Sequence, residues 1–203
     1  MRTVSQVAVV DEQKCSPCAI CMKICPVEAI RLNKQPGKRT AVIEENKCLG
    51  CTICMTRCPT QAIRMVERIS PLQIGSGEPE VSEKEVAEIC LAAHMYPDQV
   101  VCYCHRVQAK EVAAALLRGA KTPEEIAKAT GARTGCGVLC ITGIIRLLKA
   151  GGRELTEAPG YQWYDIDVSI WDIPPAIQQK YPEYYLAEDL RDINRLFPGG
   201  KRQ

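Results

Sequence analysis

No stretch of this chain runs to 18 apolar residues, so a membrane-spanning helix is not expected. Charge of one sign is lacking too. The 26 Lys and Arg against 24 Asp and Glu leave a formal +2, which is no electrostatic footprint for nucleic acid. Histidine is limited to His94 and His105. A Rieske-type centre needs two imidazoles on one iron, and His105 beside Cys104 reads instead as a group that tunes a neighbouring site or faces solvent. Residues 1–10 do not contain the long apolar stretch of a signal peptide, which points to a soluble, cytoplasmic protein. Neither a Walker loop nor a nucleophile triad can be read. Gly135-Cys136-Gly137 fails as the start of a dinucleotide fingerprint, because position 140, where the third glycine would fall, holds cysteine. No catalytic residue is assigned, and bond-making chemistry is expected on another polypeptide.

What the chain has in excess is cysteine, at 13 residues. In a secreted chain this would suggest disulfides, but the expected compartment and the spacing suggest metal. Cys15, Cys18, Cys21 and Cys25 precede Pro26, and the same pattern returns as Cys48, Cys51, Cys54 and Cys58 before Pro59. Three thiolates spaced three residues apart, on a tight loop entering a helix, converge on one point, and each proline helps end the ligand helix. Residues 15–32 and 48–65 align without a gap, an internal duplication. Val7 to Val10 and Ala41 to Glu44 read as strands before the two loops, and Ala29 to Leu32 and Ala62 to Val66 as strands after them. Gln35 to Lys38 reads as the turn of a hairpin joining the halves. Zinc is the alternative for any thiol group, but it favours four ligands in two pairs and leaves this repeat unexplained. Lys14, Lys23, Lys47 and Arg57 flank the cysteines, either offsetting negative clusters or forming a solvated basic face.

Residues 1–70 resemble the bacterial dicluster ferredoxins. That resemblance implies a ferredoxin-like, pseudo-symmetric βαβ domain holding two [4Fe-4S] clusters, with the fourth cysteine of each run crossing to the other cluster. On this reading Cys15, Cys18, Cys21 and Cys58 hold one cluster, and Cys48, Cys51, Cys54 and Cys25 the other. So small a domain has a marginal hydrophobic core, so the metal is expected to supply much of its stability.

Residues 71–97 read as a linker with a short helix. Pro71 to Glu80 is rich in proline, glycine and polar residues, and Ser82 with Glu85 forms a capping box. Val86, Ile89, Cys90 and Ala93 share one face, so Cys90 reads as a buried core thiol rather than a ligand. The remaining four cysteines are Cys102, Cys104, Cys136 and Cys140. Between the pairs, one helix is expected to end at Gly119. Another is expected to start at Thr122 and Pro123 and stop at Gly131. A third runs from Val138 to Ala150, its positive end toward the cysteines. Residues 98–150, within a domain expected to span 98–152, resemble the [2Fe-2S] domain of the bacterioferritin-associated ferredoxin family, carried by VCYCHRV and the helix-helix-GCG layout. The second pair here is separated by three residues where many members have two. The resemblance implies a small all-α domain with one [2Fe-2S] cluster on Cys102, Cys104, Cys136 and Cys140, a four-cysteine zinc site being the alternative.

Residues 153–203 hold eight of the ten aromatics, among them Trp163, Trp171, Tyr184 and Tyr185, and no cysteine. Prolines interrupt them, although Ala187 to Leu196 can form a helix. They read as an extended tail whose aromatic anchors dock on a protein partner, the alternative being a tail folded back over the cluster domains. The expected class is thus α+β. The expected function is that of an iron-sulfur electron-transfer subunit, not itself an enzyme. It would relay single electrons between a flavin- or metal-containing partner oxidoreductase and an external carrier. The partner context resembles flavin-linked dehydrogenases or anaerobic hydrogenase and bifurcating complexes. A free ferredoxin and an iron-handling or cluster-assembly factor are the competing readings. Anaerobically prepared protein should contain about ten irons and ten acid-labile sulfides per chain, and a value near eight would remove the third cluster.

Overall fold

A computed structural model describes residues 2–33, 39–74, 80–155 and 169–196. The first run of elements is β1 (Arg2–Val10), α1 (Ile20–Ile24) and β2 (Ile30–Leu32), and the second is β3 (Ala41–Ile43), α2 (Ile53–Thr56) and β4 (Ile63–Ile74). Each cysteine run therefore lies between a strand before it and a strand after it, as the pattern predicted. β1 pairs antiparallel with β4, from Val10 opposite Ile63 to Arg2 opposite Ile74, and β2 pairs antiparallel with β3. The turn expected at Gln35 to Lys38 lies outside the described residues. Val4, Val7, Ala29, Ile30, Leu49 and Ile63 close the core between the two sheets and the two ligand loops.

β4 is longer than expected. Pro71 to Ile74, read from sequence as linker, form its far end and pair with β1. The register slips between Val4 and Gln6, whose partners are Leu72 and Glu67. Proline cannot donate to a ladder, and a bulge is where a strand tolerates one. The bulge also leaves Ile69 fully exposed and sends Arg68 back across β1.

The second unit contains α3 (Glu83–Ala92), the hairpin of β5 (Val100–Cys102) and β6 (Val107–Gln108), α4 (Ala109–Leu117), α5 (Pro123–Thr130) and α6 (Ile141–Ala150). The sequence reading of this unit as all-α omitted the hairpin. Cys104 and His105 sit in its turn, which Arg106 closes with a left-handed φ of 54°. The helix ends behave as the residues dictate. The Ser82 hydroxyl accepts the Glu85 amide, the Thr122 hydroxyl accepts the Glu125 amide, and Gly131 ends α5 at φ 77°. α6 begins three residues later than predicted, with Cys140 as its N-cap. Cys90 is fully buried among Val86, Val112, Leu116, Ile144 and Leu147, so α3 packs into this core rather than acting as linker. Burial pushes its thiol up to about 11.

The described part of the tail is not extended. It holds short 3-10 turns at Ile170–Asp172 and Pro182–Tyr184, together with α7 (Pro175–Lys180) and α8 (Leu186–Leu196). Trp171 stacks on His94 with ring centres 3.9 Å apart and an interplanar angle of 11°, and the Arg146 guanidinium lies 5.2 Å from its centroid. The Trp171 indole donates to Asn194 of α8, and the Tyr96 hydroxyl donates to the Leu196 carbonyl. Trp171 of the tail is thus engaged within the chain. Tyr161, Trp163, Tyr164 and Phe197 lie outside the described residues.

His94 is held below its ordinary value of 6.5, first by burial and then by Arg146, with Asp172 opposing. A base held low in the folded state favours that state fully above its ordinary value and loses the advantage as pH falls past it. Acidification below 6.5 is therefore expected to loosen the stack. In a Trp163→Phe background this appears as a change in Trp171 emission, and emission constant across that range would contradict the docking.

Candidate iron-sulfur sites

The two ligand loops repeat each other in their backbone as well as their sequence. Ala19 and Thr52 take left-handed φ values of 61° and 63°, and Glu28 and Gln61 take 51° and 52°. Such residues cost free energy, and surrounding structure must hold them there. In each loop the first turns the chain just after the second cysteine, so that α1 or α2 starts with the third thiol facing inward. The second turns it after the fourth cysteine and aims a main-chain N–H at sulfur. Ala29 N donates to Cys25 Sγ and Ala62 N to Cys58 Sγ, each at 3.3 Å. Ala41 N, at the start of β3, donates to Cys15 Sγ at 3.5 Å.

The thiols gather in two sets that cross the repeat. Cys21 is pushed up to about 11, first by burial, with Cys18, Cys15 and Cys58 adding to the rise. Cys54 is pushed up to about 12 by burial and then by Cys51, Cys48, Cys25 and, more weakly, Cys21. Burial also raises Cys51 to about 11 and raises Cys25, with neighbouring thiols adding to both. Cys25, Cys48, Cys51 and Cys54 line one small, largely enclosed cavity together with Leu49 and Ala8. Four soft thiol donors in a mostly apolar lining suit an iron-sulfur cluster better than a hard cation. Cys58 differs. Burial raises it, but the Thr60 hydroxyl and the amides of Ala62, Thr60 and Ile63 outweigh that and leave the thiol below its usual value.

Arg68 had no signal in the sequence. Carried back by the β4 bulge, its guanidinium donates to the carbonyls of Gln6, Glu45 and Cys48, tying the second ligand loop to β1. Gly50 is needed in the same loop. At φ 62°, a Cβ there would lie 2.8 Å from the Gln6 carbonyl oxygen. Of the basic residues flanking the cysteines, Lys14 pairs with Asp11 and Lys47 with Glu44, so part of their charge is met by carboxylates rather than by the thiol sites.

The third set joins the β5-β6 hairpin to the loop before α6. Cys102 and Cys140 are buried at 2% exposure each, whereas Cys104 and Cys136 are exposed. Cys136 N donates to Cys104 Sγ at 3.4 Å. Cys136 is lowered first by the amides of Val138 and Leu139, which lie at the entry to α6. Burial, then Cys102, push Cys140 up to about 12, while the Arg133 amide donates to its sulfur and opposes the rise. His105 does not join the thiols through its Nε2, which lies 2.9 Å from the Thr134 hydroxyl. That hydroxyl donates to the Gly131 carbonyl at 2.6 Å and accepts from Arg2, so Nε2 is the donor. Gly135 lies so close that a Cβ would come within 2.8 Å of Cys104 Sγ. Among the described residues, no three Cys, His, Asp or Glu side chains are grouped as ligands of one metal ion. A cluster takes its thiolates on several irons, so its ligands need not share one centre.

Thiol sets of this kind define an iron-sulfur protein. Residues 8–65 match the model of the 4Fe-4S dicluster domain, and residues 100–150 match that of the BFD-like [2Fe-2S] binding domain. The chain thus contains these two domains in that order, which implies two [4Fe-4S] clusters and one [2Fe-2S] cluster. Ferredoxin-type iron-sulfur domains typically serve electron transfer rather than catalysis. No curated protein and no solved structure matches the chain. Among the described residues, no helix is long and apolar enough to cross a membrane.

Gly135→Ala should push Cys104 off its position and cost the third cluster alone. The expected readout is a fall of about two irons per chain with the [4Fe-4S] absorption retained. Full iron retention would show that the close approach can be relieved without cost.

Proposed function

We propose that this chain is a cytoplasmic electron-transfer subunit, relaying single electrons between a flavin- or metal-containing oxidoreductase partner and an external carrier. The observation that carries the reading is the presence of three thiol sets in one packed chain. β4 contacts α5, and Ala127 of α5 is buried in the core of the first unit. In this reading Cys15, Cys18, Cys21 and Cys58 hold one [4Fe-4S] cluster, and Cys25, Cys48, Cys51 and Cys54 the other. Cys102, Cys104, Cys136 and Cys140 hold the [2Fe-2S] cluster. The first two sites form a pseudo-symmetric ferredoxin-like module. When bound, the clusters supply reversible one-electron chemistry. The residues supply position, N–H donors to sulfur and burial, which together tune the potential.

Residues of β1 to β4 share one core and residues of α3 to α6 another, which supports the division into two units. Partner docking is assigned to residues 153–203, where Tyr184 and Tyr185 are exposed. The intramolecular seat of Trp171 favours the free-ferredoxin reading, because it removes one aromatic anchor from any partner. Anaerobic purification from the native source, comparing the full chain with a truncation after Gly160, decides between them. The subunit reading expects a stoichiometric flavin or metal enzyme with the full chain and loss of that partner on truncation. A free monomer of native size would overturn it.

A further inference from the structure

Arg133 lies on the loop between α5 and the second cysteine pair, in a left-handed conformation at φ 67° and only 2% exposed. Its guanidinium Nη1 donates to Glu124 Oε1 at 2.7 Å, an ion pair buried on both sides. The same nitrogen donates to the Pro26 carbonyl at 3.4 Å. Pro26 directly follows Cys25. The main-chain N–H of Arg133 meanwhile donates to Cys140 Sγ. One residue therefore touches the ligand corner of the Cys25, Cys48, Cys51 and Cys54 set and a buried sulfur of the third set. Close to it in α5, Ala127 is fully buried in the first unit's core. Beside it, Arg2 of β1 donates to Thr134 at 3.0 Å.

A bare buried guanidinium would be costly, so Glu124 holds the charge neutral while Nη1 also donates to a carbonyl across the unit boundary. We propose that Arg133 is a positioning residue. It locks the Cys25 corner to Cys140, making the [4Fe-4S] site that contains Cys25, rather than the one that contains Cys58, the electron-exchange neighbour of the [2Fe-2S] site. The inference rests on the relay reading above. The step it serves moves one electron between the two thiolate-held sites, one oxidised and the other reduced by one, with no proton or bond exchanged. Its path is covalent from Cys25 to the Pro26 carbonyl, crosses one hydrogen bond to Arg133, and reaches Cys140 through a second.

The test uses the full-length, cluster-loaded protein reduced with dithionite, and reads the paramagnetic relaxation of the [2Fe-2S] resonance. In the wild-type chain a reduced neighbour should speed that relaxation. Cys51→Ser should abolish the enhancement and Cys18→Ser should leave it; the opposite pattern overturns the proposal. Arg133→Met should lose most of the enhancement at unchanged iron content, with a lowered thermal midpoint because Glu124 is left buried without its cation. Arg133→Lys should be intermediate, whereas an enhancement indifferent to both removes the role of Arg133. If these variants do not fold, the cysteine pair still decides which site is the neighbour. A wild-type chain whose clusters accept no electron sinks the relay reading itself.

Discussion

Main-chain N–H groups aimed at cysteine sulfur are the interaction on which the rest of this molecule depends. Buried thiolates are expensive, and the rise of Cys21, Cys54 and Cys140 to about 11 or 12 shows how strongly burial alone opposes them. Donors from Ala29, Ala41, Ala62, Cys136 and Arg133 work against that cost. To present them, the backbone leaves regular structure at each site. This explains the left-handed residues at Ala19, Glu28, Thr52 and Gln61, the helices of only four or five residues, and the glycines at Gly50 and Gly135.

Backbone held in this way needs a stiff frame, and the two units supply it differently. In the first, the long β1-β4 ladder anchors both loops, while the bulge at Arg68 sacrifices regular pairing to tether Cys48. In the second, α3, α4, α5 and α6 enclose a conventional apolar core, and the cysteines sit at its edge where a hairpin turn meets a helix start. The two frames are joined through Arg133, Glu124 and Ala127, so the ligand loops are buttressed from both sides.

The local features were legible in sequence because each depends on residues near one another in the chain. The duplicated cysteine runs, their flanking strands, the caps at Ser82 and Thr122, the stop at Gly131 and the buried face containing Cys90 are all short-range patterns. What escaped reading depends on pairing across distance. Pro71 to Ile74 look like linker because proline and glycine surround them, yet β1 supplies the partner that makes them strand. The β5-β6 hairpin is too short for a periodic signal. The tail was read as extended because prolines break it, but Trp171 finds a surface made by His94 and Arg146.

By itself the sequence determined the chemistry of the sites, since thiol number and spacing decide which metal centre a loop can ligate. Only the tertiary structure decided how those sites relate. Arg68 and Arg133 are ordinary arginines in the sequence. They acquire their roles because a bulge and an inter-unit joint bring their guanidinium groups to the carbonyls of Cys48 and Pro26, contacts between residues far apart along the chain.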